Sequence, residues 1–278
     1  MNRVRSIRMV QVLLTLAITG LFAWSCSTVP ITGRKQLNLV PEDQVIAMAA
    51  SQYDTVLMTH KLSTDKEQTA MIKRCGARIQ KAVETYFQSK GQMAQLAGYE
   101  WEFNLIESKE LNAWCMPGGK VVVYTGILPV TGDENGLAVV RGHEIAHALR
   151  EHARERIAKT ELTRLGASLL SEFVGGGKYS GVFSAGGQLM TLKFSRDDET
   201  EADSVGLELA ARAGYDPRAG ISLWKKMTSA NKGAPPQWLS THPSGKNRIE
   251  EIERHLPEVM PIYERTKSQS RQDGVVQR

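Results

Sequence analysis

Apolar side chains recur at helical spacing along much of this chain. Residues 43–60 carry Val45, Ile46, Ala49, Tyr53, Val56 and Leu57 on one stripe, opened by Pro41-Glu42-Asp43. A second helix is predicted from Asp65 to Gln88, with Met71, Ile72, Cys75, Ile79, Ala82, Val83 and Tyr86 on one face and Thr64-Asp65 as its cap. The pattern then changes period. Residues 101–106 (WEFNLI) alternate like a strand, and 121–124 (VVVY) form a β-branched run. Between them, residues 112–116 lead into the turn Pro117-Gly118-Gly119, which predicts a hairpin and a small antiparallel sheet. Helical periodicity returns from Asp133 to about Lys159 and over 160–173. Glycines at 175–177, 181, 186 and 187 then predict a connection suited to a mobile loop. It is not a phosphate loop, because Gly177-Lys178-Tyr179 lacks both the hydroxyl residue and a preceding strand. Further helices are predicted at 189–214, 217–230 and 246–255, with a break at Pro235-Pro236 and a fraying tail over 258–278. No internal repeat is visible, so a repeat domain for docking partners is not expected. The fold class is α+β: one mostly helical domain over 41–257, with a small antiparallel sheet beside the helix that starts at Asp133.

The first 25 residues differ in kind. Arg3, Arg5 and Arg8 precede a mostly apolar run over 9–24, the pattern of an export signal peptide. The run is short of the roughly 20 apolar residues needed to span a bilayer. An uncleaved anchor and plain secretion are the alternatives. Cys26, directly after Ser25, resembles a bacterial lipoprotein cleavage site, where the cysteine is lipidated; residues 26–40 would then be an irregular tether. The length of 278 residues, 41% apolar and 23% charged, is that of a globular protein. The net charge of +5 includes the three leader arginines, and no basic patch is interleaved with aromatics, so nucleic acid is not expected as a partner. Cys75 and Cys115 form no CxxC pair, which argues against a cysteine metal site. An exported protein lives where a disulfide can persist, so the two alternatives are a disulfide and, the reading favoured here, a pair of unpaired buried thiols.

The chemistry is concentrated in His143-Glu144-Ile145-Ala146-His147. Residues four apart share a helix face, so both imidazoles can hold one ion while Glu144 lies a step around. This is the HExxH arrangement, two zinc ligands and a general base. The plainer alternative is polar residues on an exposed helix face. The flanking Leu137, Val139, Val140 and Leu149 oppose it, since buried polar groups need partners. A catalytic zinc takes a third protein ligand. Glu199 and Asp203, four apart on a predicted helix, could supply a ligand and an orienting carboxylate. A solvated acidic helix start is the competing reading.

Three blocks, GHEIAH (142–147), SRDDETEAD (195–203) and STHPSGKNRI (240–249), resemble in order those of the HtpX-type and CAAX-prenyl-endopeptidase-type zinc metallopeptidases. Residues 26–40 and 112–128 look similar to the exported bacterial lipoprotein branch and to the mitochondrial inner-membrane stress protease of that family. The resemblance implies a zincin-like gluzincin fold and one Zn2+ per chain on His143, His147 and Glu199. It also implies Glu144 as base, Asp203 behind the metal and Arg248 nearby. His242, otherwise a turn histidine, becomes an active-site residue that assists catalysis or caps the zinc. Asn112 and Ala113 would border the cleft as an edge strand that pairs with substrate backbone. His60, His152 and His255 are given surface or supporting roles. The resulting expectation is a metalloendopeptidase acting on misfolded or unassembled exported polypeptides. It would be lipid-anchored at Cys26 in the envelope of a Gram-negative-type bacterium and face the periplasm. The competing class is a zinc-containing chaperone or assembly factor without catalysis.

Overall fold

The structure is a computed structural model and describes residues 26–28, 32–37, 40–160, 162–163, 189, 192–230, 237–242 and 248–276. The leader, the glycine-rich connection and most of the helix expected at 160–173 lie outside these residues.

Two helices open the domain, α1 (Glu42–Thr59) and α2 (Lys66–Ser89). The Asp65 side chain caps α2 by accepting from the Gln68 N–H at 2.9 Å. Its buried stripe of Ile72, Cys75, Ile79, Val83 and Phe87 follows the helical period read from the sequence.

Strands β1 (Cys26–Thr28) and β2 (Lys35–Leu37) pair antiparallel, so the expected irregular tether contains a small ribbon. The main sheet comprises β3 (Glu102–Ile106), β4 (Ala113–Met116) and β5 (Lys120–Tyr124). β4 and β5 form the expected antiparallel hairpin, turning at Gly118 and Gly119, whose φ values of 84° and 83° suit residues without a Cβ. β3 joins on the far side of β5 and runs parallel to it, which makes the sheet mixed. β5 is central and buried along its whole length, and β4 is an edge strand.

After the short α3 (Leu128–Thr131), helix α4 (Glu134–Leu149) runs through the core. Every residue from Gly136 to Leu149 is buried, so beyond its first two residues α4 has no solvent face. Its Asp133 cap accepts from the N–H groups of Asn135 and Gly136. The single helix expected over 133–159 is interrupted: α4 stops at Leu149, Glu151 adopts a left-handed φ of 52°, and a new helical stretch covers 152–160.

Helix α5 (Arg196–Arg212) begins later than expected. Ser195 and Asp198 form a reciprocal capping box that fixes its start. It crosses α4 with glycine against glycine, since a Cβ on Gly206 would lie 2.6 Å from the His143 backbone nitrogen. Helices α6 (Ala219–Ala230), α7 (Gln237–Thr241) and α8 (Arg248–Val276) complete the domain. α8 continues through Pro257 and Pro261, so the helical part of the chain extends well past the expected end at 257. Proline removes intrahelical hydrogen bonds, but Val259 and Tyr263 are buried against the main core and hold the helix in place.

Candidate metal centre

Helix α4 presents His143 and His147 on the face turned toward α5, where Glu199 lies one turn inside the capping box. All of these side chains are about 3% exposed. His147 Nε2 stands 3.1 Å from His143 Nε2 and 3.4 Å from Glu199 Oε1. His143 Nε2 stands 3.5 Å from Glu199 Oε2. His242, just beyond α7, brings its Nδ1 to 3.3 Å from His143 Nε2 and 3.0 Å from Glu199 Oε1. The four residues form one buried group that could hold a metal ion.

The donor set fits zinc. Ligand bonds of about 2.0–2.1 Å in a tetrahedron give edges of about 3.3 Å, the spacing found here. His143 directs Nδ1 to Asp203 Oδ1 at 2.9 Å, which leaves Nε2 as a bare lone pair. Burial pushes the His147 imidazole well below its ordinary pKa, toward the neutral form that a metal needs. Bare nitrogens facing one another in a dry site call for a cation between them.

Arg248, at the start of α8, ties the acidic side of the centre together. It donates to Glu199 Oε2 at 2.8 Å and to Asp203 Oδ1 at 2.7 Å, with its guanidinium carbon 3.8 Å over the Trp224 ring. Burial alone would raise the Glu199 pKa, but His242, His147 and His143 hold its carboxyl far below the usual range. Burial works against a charged His242, yet Glu144 and Glu199 together raise its pKa.

Glu144 stands beside the donor group, its Oε1 accepting the Trp238 indole N–H at 2.6 Å. A cleft runs from Glu144, His147 and His242 to the edge strand, with Asn112 and Ala113 on its wall. The structure thus gathers every expected site residue of the domain around one point. Cys26 belongs to β1. Cys75 and Cys115 are free thiols.

Three residues around the centre escaped the sequence reading. Trp238 sits four residues before His242, a helical spacing that could have revealed it. His152, assigned a surface or supporting role, is 1% exposed and touches His147. Glu201, inside the acidic block, faces His152 instead of the donor group.

A helix-borne HExxH pair, a carboxylate from the next long helix and an edge strand along the cleft define a zinc metalloendopeptidase domain with a zincin-like fold. The chain belongs to peptidase family M48, whose family model matches residues 74–256. It is 36% identical over 236 residues to the mitochondrial metalloendopeptidase OMA1 of Schizosaccharomyces pombe, covering 83% of this chain and 66% of that protein. It is 30% identical over 255 residues to the mitochondrial OMA1 metalloendopeptidase of Bos taurus, covering 84% and 47%. The β-barrel assembly-enhancing protease of Escherichia coli is 28% identical over 174 residues, covering 58% and 36%. The chain spans about half the length of the curated relatives it matches.

These relatives correct one expectation. A location in the envelope of a Gram-negative-type bacterium, facing the periplasm, is overturned. The mitochondrial enzymes of fungi, animals and a plant align over 62–85% of this chain, against 58% for the bacterial proteases. Nor do the matches single out the exported lipoprotein branch.

Proposed function

We propose that this chain cleaves internal peptide bonds of misfolded or unassembled polypeptides, with zinc on His143, His147 and Glu199 and with Glu144 as general base. The observation that carries the reading is the position of Glu144. It lies beside the donor group and opens onto a cleft walled by an edge strand. The assembly-enhancing role printed in the name of the bacterial relatives supports a quality-control task.

When bound, zinc supplies Lewis acidity and an activated water. The residues of the chain do the rest. Trp238 occupies Glu144 Oε1, leaving Oε2 to take the proton of the attacking water and return it to the departing amine. Asp203 fixes the His143 tautomer, and Arg248 holds both carboxylates in place. The free edge of β4 offers the backbone groups of Ala113 to an extended substrate, whereas the Asn112 carbonyl accepts from the Tyr124 N–H of β5. His242, with Nδ1 at the fourth corner of the donor group, keeps the centre latent until substrate displaces it.

The test is product mapping. An unfolded protein incubated with the zinc-loaded chain should yield fragments with new internal termini. Glu144→Gln should bind zinc normally and yield none. Equal cleavage by this variant would exclude the mechanism.

A further inference from the structure

His152 belongs to none of the motifs read in the sequence, yet it is packed behind a metal donor. Its Nδ1 lies 2.9 Å from His147 Nδ1, and its Nε2 lies 3.0 Å from Glu201 Oε2. The two histidine rings meet edge to face, with centroids 4.9 Å apart. A continuous helix would not bring them together, because residues five apart are rotated by about 140° at 3.6 residues per turn. The break after Leu149 makes the contact. Glu151 takes a left-handed φ of 52°, an uncommon conformation for a residue with a side chain, and the chain turns back so that the His152 ring meets His147.

The direction of the hydrogen bonds follows from their ends. His147 turns Nε2 to the donor group, so its Nδ1 carries the hydrogen. At the other end, Glu201 is a carboxylate between two guanidinium groups. It accepts from Arg34 Nε at 3.2 Å, from Arg150, and from Thr32 Oγ1 at 2.5 Å. A carboxylate only accepts, so His152 must donate from Nε2 and offer a lone pair at Nδ1. Hydrogens therefore point one way, from His147 to His152 to Glu201.

We propose that His152 is a positioning residue for the zinc ligand His147. It accepts the His147 Nδ1 hydrogen and is itself fixed by Glu201, which Thr32 and Arg34 of the N-terminal segment brace. The proposal rests on the assignment of His147 to zinc. Metal-bound histidines ordinarily hand this hydrogen to a carboxylate or a carbonyl, and His143 does so with Asp203. At His147 a second imidazole takes that place, which links the metal centre to residues ahead of the peptidase domain.

The experiment compares zinc affinity, by competition with a chromophoric chelator, in the full chain and in His152→Asn, His152→Leu and His147→Ala. An asparagine Oδ1 reaches close to the position of the histidine Nδ1, so His152→Asn should stay within about threefold of the wild type. His152→Leu fills the space without an acceptor and should bind zinc about 10–100-fold more weakly. Equal affinity in the asparagine and leucine variants would overturn the proposal in favour of simple packing. Wild-type affinity in His147→Ala would instead overturn the zinc assignment beneath it. Should His152→Leu fail to fold, nitrogen-15 NMR of the zinc-loaded wild type decides the matter. Hydrogen on His152 Nε2 with bare Nδ1 is expected, and the opposite tautomer would refute the proposal.

Discussion

Trp238 donates its indole N–H to Glu144 Oε1 at 2.6 Å, which joins the short helix that leads to His242 to the proposed general base. A hydrogen bond to a charged group contributes about 1.5–3 kcal/mol, and tenfold in rate corresponds to about 1.4 kcal/mol. Trp238→Phe keeps the aromatic packing against His143 and His242 but removes the donor. The expected result is a fall in kcat of about tenfold or more with KM little changed. Steady-state kinetics on a quenched peptide checks this. An unchanged kcat would mean that Trp238 only fills space.

His242 has its Nδ1 within 3.0–3.3 Å of Glu199 and His143. If it keeps the centre latent, His242→Ala should cleave an unfolded protein several-fold faster than the wild type while releasing zinc more readily to a chelator. Slower cleavage would mean that His242 assists the reaction and does not cap the metal.

The crossing of α4 and α5 leaves no room for a methyl group at Gly206, whose neighbours are backbone atoms of Gly142 and His143. Backbone cannot step aside as a side chain can. Gly206→Ala should therefore cost about 1–3 kcal/mol of stability and weaken zinc binding, because α5 carries Glu199 and Asp203. Thermal melting with and without zinc measures both effects. A variant with the wild-type melting temperature would contradict the close crossing.

Glu134 begins α4, at the opposite end of the helix from His147, and reports on the scaffold. Burial would raise its pKa, but Arg74 and Tyr215 lower it below the ordinary 4.5. A carboxyl depressed by folding stabilises the native state above its unfolded pKa and loses that contribution as pH falls through the folded one. Wild type should thus melt higher than Glu134→Gln at neutral pH, and the gap should close as pH falls below 4.5 and through the lower pKa of the folded state. A gap that persisted into acid would show that the effect is not electrostatic.

Much of the fold and site was legible because it is local. The periods of α1 and α2, the hairpin glycines, HExxH and the four-residue spacing of Glu199 and Asp203 all follow from helix or turn geometry. The capping box at Ser195 and Asp198 was equally local, and it marks the true start of α5 better than the apolar pattern did. What stayed hidden depends on distant partners. The parallel seat of β3 beside β5 is decided by packing on α2, not by the strand itself. The length of α8 is decided by burial of Val259 and Tyr263, which outweighs two prolines. The turn at Glu151 has no glycine or proline to signal it, and without that turn His152 reads as an ordinary helix residue.

The central claim, a single zinc on His143, His147 and Glu199 that drives peptide cleavage, is tested most directly by a metal titration. The chain is stripped with a chelator and zinc is returned while cleavage of an unfolded protein is followed. Activity should vanish on stripping and recover in full at one zinc per chain, with no recovery in Glu199→Ala. Cleavage that survived complete removal of zinc, or that returned equally in Glu199→Ala, would contradict the account.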